Sequence, residues 1–187
     1  VTLATLLGAG ALRDHPVPER RASLTREALA IARRLDEPRT LAYALDGTYS
    51  AFSWPRDTEM WLAMARELMQ LADEIGDKEQ AFIGHFHAFG AFMVRGDMRA
   101  AEAELALMAR LAQGLRQPAH IWAALAAEAM RDLFAGRMDD AEEVIRRTAE
   151  LGSGAQGLDA TYYYVTNLQR WALRHEQGRL AEIEAPL

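Results

Sequence analysis

The stretch RGDMRAA at residues 95–101 is followed 40 residues later by AGRMDDA at residues 135–141. Each stretch places a glycine five residues before an alanine, as Gly96 and Ala101 and as Gly136 and Ala141. Three further series keep the same step: Leu71, Leu111 and Leu151; Leu35, Ile75 and Leu115; and the small residues Ala44, Gly84 and Ala124. Because self-similarity at this period is typical of helix-pair repeats, the sequence predicts an all-α repeat array.

Glycines and prolines divide the chain at regular intervals. The segments between them are about 14 to 20 residues long, the usual length of a helix in a globular protein. We predict helices over 18–35, 39–53, 58–75, 78–95, 98–115, 118–135, 138–151 and 159–177, with shorter pieces at 2–12 and 179–185. Four glycines are expected to end helices in the left-handed conformation, which strains other residues: Gly76, Gly96, Gly136 and Gly178.

The links between the predicted helices are short, so neighbouring helices are expected to run antiparallel. A hairpin of two such helices cannot bury its apolar face alone and therefore stacks on the next hairpin. The small residues Ala44, Gly84 and Ala124 are expected where adjacent helices approach most closely. The predicted fold is an all-α, right-handed superhelix of about four antiparallel helical hairpins, with residues 1–187 as one helical-repeat domain. The term first helices is used below for the first helix of each hairpin: 39–53, 78–95, 118–135 and 159–177.

The composition excludes several kinds of site. The chain has no cysteine, which excludes disulfides, thiolate metal sites and cysteine nucleophiles. Its formal net charge is −6, and it lacks the clustered positive charge of a nucleic-acid-binding protein. No apolar run approaches the ~20 residues that a membrane span needs. We expect a cytoplasmic protein with no direct nucleic-acid or membrane partner and, because the sequence begins at Val1, a fragment of a larger protein.

Several strings taken together resemble a known class of regulator. They are EALAIARRL at 27–35, LAYAL at 41–45, RGD at 95–97, GRMDDAE at 136–142 and EQGRL at 176–180. The resemblance is to the C-terminal region of large actinobacterial regulators, in which tetratricopeptide-like (TPR-like) repeats follow a STAND-type ATPase. Some of these carry a nucleotide-cyclase domain in front, and others a LuxR-type helix-turn-helix behind. The resemblance implies a TPR-like α-solenoid whose first helices line a concave groove, and a sensor and protein-contact role without catalytic residues.

Polar and aromatic residues of the first helices are therefore candidate groove contacts: Tyr49, His85, Glu128, Arg131, Asp132, Tyr162, Tyr163 and Tyr164. Three consecutive tyrosines cover ~200° of helix arc, so at least one is expected to be exposed or to contact a partner. Glu128 and Asp132 lie one turn apart beside Arg131. Either a partner-contacting patch or an internal salt bridge fits these three residues.

Other patterns favour structural roles. Tyr43 belongs to a series of aromatic residues at helical spacing and is expected in the core. His85 and His87 would point about 200° apart on a helix, so they cannot share a metal ion. The fragment Gly8-Ala9-Gly10 lacks the preceding strand and the Gly-Lys-Ser/Thr of a phosphate loop. We predict no metal, no cofactor and, without a nucleophile–base constellation, no enzymatic activity.

Two functions remain open at this stage. The first is a non-enzymatic protein-binding and sensor module whose groove contacts a peptide, another domain of the same polypeptide, or a second copy of the chain. The second is a small-molecule effector-sensing domain that controls an attached ATPase or cyclase. The two functions differ in how enclosed a binding site they need. A small molecule needs a concave pocket of ~300 Å³ or more, whereas a peptide needs only an open channel.

Overall fold

The computed structural model describes residues 18–49, 58–154 and 160–183. These residues form α-helices and one 3₁₀ turn, and within the described ranges there is no strand. The elements are α1 (Pro18–Leu35), α2 (Pro38–Tyr49), α3 (Thr58–Ile75), α4 (Lys78–Arg95), α5 (Met98–Leu115), α6 (Pro118–Phe134), α7 (Met138–Gly154), α8 (Ala160–Glu176) and the turn Leu180–Glu182. The all-α class is confirmed, and the predicted helix bounds hold to within a few residues wherever the chain is described. The piece expected at 2–12 lies outside the described residues.

Capping groups set the bounds of α4. The Asp77 carboxylate accepts hydrogen bonds of 3.1 Å from the backbone N–H groups of Glu79 and Gln80, which have no partner within the helix. At the other end, Gly96 adopts a φ of 74° and its N–H donates to the Met93 carbonyl at 3.1 Å. The charge of Asp77 also complements the positive end of the helix.

Left-handed backbone recurs with the repeat at both kinds of link. After the first helices it is adopted by glycines, as predicted: Gly96, Gly136 and Gly178, with φ of 74°, 73° and 68°. After the second helices it is adopted by Asp36, Gly76 and Arg116, with φ of 50°, 67° and 55°. Those three are 40 residues apart. The backbone conformation therefore follows the repeat even where the residue is not glycine.

The contacts divide the chain into two compact units, Val1–Leu111 and Ala112–Leu187, and the division falls within α5. The sequence-based assignment of residues 1–187 to one domain stays a prediction. In the first unit α1, α2, α3 and α4 pack in chain order, and α2 also contacts α4. In the second unit α6, α7 and α8 pack in the same way, and α6 also contacts α8. Each unit thus contains two successive first helices in contact with each other.

Antiparallel packing is clearest between α3 and α4. Glu59 in the first turn of α3 lies 2.6 Å from Arg95 in the last turn of α4. Their shared core contains the fully buried Trp61 of α3 and Ala91 of α4. At Gly84, an added Cβ would lie 2.6 Å from Cγ of Met69. The small-residue series therefore marks a close approach of two helices at this position, as the repeat register predicted.

The core of the second unit is built from the same repeat positions. Ala129 of α6 and Ala141 of α7 are fully buried and pack with Val144, Ile145 and Leu173. Alanine at the start of α7 lets that helix approach α6 closely, which explains why an alanine recurs five residues after the link glycine.

Candidate partner-binding surface

A polar contact joins the two first helices of the first unit. Nε2 of His87 on α4 lies 3.1 Å from Oδ1 of Asp46 on α2. The His87 side chain is 10% exposed, whereas the Asp46 side chain is 35% exposed. Asp46 therefore presents a carboxylate at the surface while it holds a largely buried imidazole.

The second unit has a contact at the same repeat positions. The side-chain amide of Gln169 on α8 donates a hydrogen bond of 2.7 Å to the backbone carbonyl of Ala126 on α6. Ala126 follows Asp46 by 80 residues, and Gln169 follows His87 by 82, which is two repeats plus the two extra residues before Gly178. Successive first helices are therefore tied together by a polar side chain at an equivalent position in both units.

Exposed apolar side chains are concentrated on the first helices. Six large hydrophobic residues in the described part of the chain are exposed, and all but Leu35 lie on first helices: Tyr43, Phe86, Phe134, Leu168 and Trp171. Second helices have a similar supply of large apolar residues, but in the described part of the chain these are buried or partly buried, apart from Leu35. The exposed large apolar side chains of the described residues are therefore concentrated on one of the two sets of helices.

Two of these exposed residues, Tyr43 and Phe86, lie on the same two helices as the contacting pair Asp46 and His87, and we call these four side chains the α2–α4 patch. The Phe86 and His87 rings lie 6.0 Å apart between centroids, and His87 contacts Asp46. Tyr43 is 49% exposed and precedes Asp46 by three residues, so both share one face of α2. The core position expected for Tyr43 is therefore wrong: its ring lies in the surface patch instead.

His85 and His87 face different neighbours, as predicted. Nδ1 of His85 lies 2.6 Å from Oε2 of Glu104 on α5, and both side chains are 18% exposed. His85 thus ties α4 to α5 and is partly buried, and its expected role as a groove contact stays a prediction. Within the described residues, no group of three or more histidine or carboxylate side chains is arranged to hold a metal ion.

Asp132 is only 2% exposed, so its carboxylate is not accessible at the surface of the described structure. Its Oδ1 lies 2.8 Å from Nε of Arg131 and 2.8 Å from a terminal nitrogen of Arg137. Glu128 is a looser neighbour, 3.7 Å from Arg131. Of the two arrangements left open by the sequence, the structure contains the internal salt bridge. Arg137 was not singled out from the sequence, although it lies at the link that follows α6.

The remaining predicted contacts are not located. The side chains of Tyr49, Tyr162, Tyr163 and Tyr164 lie outside those that the structure describes, so their roles stay predictions. The structure adds an exposed aromatic on α8, Trp171, whose ring stacks on His175 at 5.4 Å between centroids. The repeat does not predict the exposure of Trp171, because the equivalent residue of α6 is the buried Ala129.

Among the described helices, none is both long and apolar enough to cross a membrane. In comparisons with known proteins, no protein-family model matches the chain, and neither a curated protein nor a solved structure matches it. The resemblance to the repeat regions of STAND-type ATPase regulators therefore stays a prediction.

Proposed function

We propose that this chain is a non-enzymatic protein-binding and sensor module, TPR-like in organisation, that acts in the cytoplasm as part of a multidomain signalling or transcriptional regulator. The observation that carries the proposal is the concentration of exposed large apolar side chains on the first helices. In the α2–α4 patch, the exposed rings of Tyr43 and Phe86 lie on the same two helices as the Asp46 carboxylate, which is a third exposed. Aromatic residues are enriched among the side chains that contribute most to protein–protein binding.

The patch also indicates the chemistry of the partner. Asp46 is already engaged by His87, but about a third of its side chain remains accessible. The exposed Tyr43 ring beside it can receive a cation over its face. Residues 41–187 carry 14 basic and 22 acidic side chains, which gives −8 and favours the approach of a positively charged segment. A partner segment with an apolar residue next to a lysine or arginine fits this surface.

Site-specific photo-crosslinking tests the proposal. A photoreactive phenylalanine analogue is placed at Tyr43, at Phe86 or, as a matched control, at Leu35, which is 43% exposed on a helix of the other set. Positions 43 and 86 are expected to crosslink the same protein or domain, and Asp46→Arg is expected to abolish both crosslinks. Equal crosslinking from Leu35, or crosslinks unaffected by Asp46→Arg, contradicts the assignment of this surface.

The second candidate function is small-molecule sensing that controls an attached ATPase or cyclase. One specific observation favours it: a cleft between α7 and α8 has a volume of about 390 Å³. This is within the range of small-ligand sites, ~300–1,000 Å³. The α7–α8 cleft does not include the α2–α4 patch, so the two functions are tested separately.

A further inference from the structure

The α7–α8 cleft has an apolar floor and a charged wall. Ile145, Ala149 and Leu173 line the cleft and are called its apolar floor here; Ile145 and Leu173 are 5% and 1% exposed, and Ala149 is exposed. Thr166, Asn167 and Arg170 line the cleft from α8. Because Thr166 and Arg170 are four residues apart on a helix, their polar ends lie on the same side.

Two of the arginines that line the cleft are already neutralised. Arg146 on α7 donates to Glu143 at 2.6 Å and also to Glu150. Arg174 on α8 donates to Glu142 at 2.6 Å. The Arg174–Glu142 pair joins α8 to α7, whereas Arg146 and its two carboxylates all lie on α7, and each arginine is held by a charge-assisted hydrogen bond.

Both oxygens of the Glu142 carboxylate accept hydrogen bonds from α8 or from the residue that follows it. It accepts hydrogen bonds from Arg174 at 2.6 Å and from the side-chain amide of Gln177 at 3.0 Å. These hydrogen bonds lower the pKa of Glu142 to about 2. Glu142 therefore stays ionised and bound to Arg174 at neutral pH, and it leaves the third arginine of the cleft uncompensated.

Arg170 is that third arginine. It is exposed, it lines the cleft, and it has no hydrogen-bond or ion-pair partner among the described residues. Glu142 and Glu150 are the acidic residues of the lining, and each is paired with another arginine. The cleft thus offers one unpaired guanidinium at the rim of an apolar floor, in a chain whose net charge is −6.

We propose that the α7–α8 cleft binds a small organic carboxylate, whose anionic group pairs with Arg170 and whose apolar body rests on Ile145, Ala149 and Leu173. Guanidinium groups bind carboxylates through two parallel hydrogen bonds, which a neutral ligand cannot form with the same strength. The hydroxyl of Thr166, one turn before Arg170, is placed to assist. The inference rests on the small-molecule candidate function only, and the protein-binding proposal stands or falls without it.

Three probes separate charge from shape. Phenylacetate carries both a carboxylate and an apolar body, phenylacetamide is its neutral isostere, and acetate has the charge without the body. Binding to the whole chain is followed by NMR through the methyl groups of Ile145, Ala149 and Leu173. Phenylacetate is expected to shift these resonances saturably, and the other two probes are expected to bind about tenfold or more weakly.

Matched variants test the role of Arg170. Arg170→Gln removes the charge at similar length and is expected to weaken phenylacetate binding about tenfold or more. Arg147→Gln removes an exposed arginine of α7 that does not line the cleft, and binding is expected to be unchanged. Circular dichroism of both variants checks that the fold is intact. Equal binding of phenylacetate and phenylacetamide, equal losses in the two variants, or no saturable methyl shift with phenylacetate each overturns the proposal. The crosslinking from Tyr43 and Phe86 is independent of all these outcomes.

Discussion

The His87 imidazole on α4 lies 3.1 Å from the Asp46 carboxylate on α2, and this contact spans two successive first helices. In the second unit Gln169 and the Ala126 carbonyl make the equivalent contact at 2.7 Å. An imidazole–carboxylate contact in one unit and an amide–carbonyl hydrogen bond in the other perform the same structural role. The repeat therefore preserves a polar tie between first helices while the residues that form it vary.

The first prediction is that His87 and Asp46 are energetically coupled. His87→Ala, Asp46→Ala and the double variant form a double-mutant cycle, measured by urea unfolding of the whole chain. We expect a coupling of ~0.5–2 kcal/mol, because the pair is partly buried and removal of either group leaves the other with a weaker partner.

A control cycle pairs Asp46→Ala with His85→Ala. His85 contacts Glu104 rather than Asp46. Its effect is expected to add to that of Asp46→Ala within ~0.5 kcal/mol. If the effects of His87→Ala and Asp46→Ala also add within ~0.5 kcal/mol, the contact between α2 and α4 does not stabilise the protein.

The second prediction concerns the close approach of α3 and α4. Gly84→Ala would place a Cβ 2.6 Å from Cγ of Met69 and 3.3 Å from the Ala65 carbonyl oxygen. Overpacking of this kind costs ~1–3 kcal/mol. The higher helix propensity of alanine offsets up to ~1 kcal/mol of that cost. A net loss in the free energy of unfolding of ~1 kcal/mol is therefore expected, measured by urea denaturation.

Gly114→Ala is the matched control for this prediction. Gly114 is an exposed glycine in α5, and an added Cβ there would meet nothing within 4 Å. Only the propensity term remains, so this variant is expected to gain a few tenths to ~1 kcal/mol. A gain at both positions would show that α3 and α4 separate easily, contrary to the packing described above.

The sequence predicts the helices well because their ends are marked by residues with specific backbone or capping chemistry. Asp77, Gly96 and Pro118 each lie where the structure begins or ends a helix. The register also predicted the close approach at Gly84. At these positions the capping or backbone chemistry of the residue and the repeat periodicity predict the same helix ends and contacts. Because the two agree, the fold can be predicted from a single sequence.

The surface was harder to predict, since exposure depends on which neighbours a helix meets. Tyr43 has the spacing of a core residue but is half exposed, whereas Asp132 has the character of a surface residue but is buried between two arginines. Side-chain type alone does not separate these cases. The repeat does place Asp46 and His87 at positions equivalent to Ala126 and Gln169, and both pairs of positions join successive first helices.

The third prediction is that Arg116→Gly stabilises the protein. Arg116 has a φ of 55° at the position where the preceding repeat has Gly76, with a φ of 67°. A left-handed residue with a Cβ is strained by ~1–2 kcal/mol, and part of the relief is lost to the greater freedom of glycine in the unfolded chain. We expect a net gain of ~0.5–1 kcal/mol by thermal or urea unfolding.

Two variants serve as controls for Arg116→Gly. Arg116→Ala removes the charge and the long side chain but keeps the Cβ, so little or no gain is expected. Gly76→Ala introduces a Cβ at the equivalent position, where φ is positive, and is expected to cost ~1 kcal/mol. If Arg116→Ala stabilises as much as Arg116→Gly, the gain comes from the side chain and not from the backbone conformation.

The fourth prediction is an acid-dependent loss of stability that originates at Glu142. Its hydrogen bonds from Arg174 and Gln177 lower its pKa from 4.5 to about 2. A carboxyl group whose pKa is lower in the folded state contributes stability above its unfolded pKa, and this contribution is lost as the pH falls through the folded value. The contribution of Glu142 is therefore complete above about pH 4.5 and is lost between pH 4.5 and pH 2. Because the Glu142 side chain is 38% exposed, solvent screening reduces its contribution to the free energy of unfolding.

Glu142→Gln isolates this contribution, because glutamine keeps the shape but does not titrate. The variant is expected to be less stable than the native chain at pH 7 and to approach it in stability as the pH falls toward 2. Free energies of unfolding from urea titrations at several pH values measure the difference. Glu150→Gln is the comparison on the same helix: it also removes a carboxylate that pairs with an arginine, but its side chain is 63% exposed, so a smaller loss of stability at pH 7 is expected. The free energies of unfolding of the native chain and Glu142→Gln could instead differ by a constant amount from pH 7 to pH 2. In that case the stability contributed by the Glu142–Arg174 pair would not depend on the charge of Glu142, contrary to this prediction.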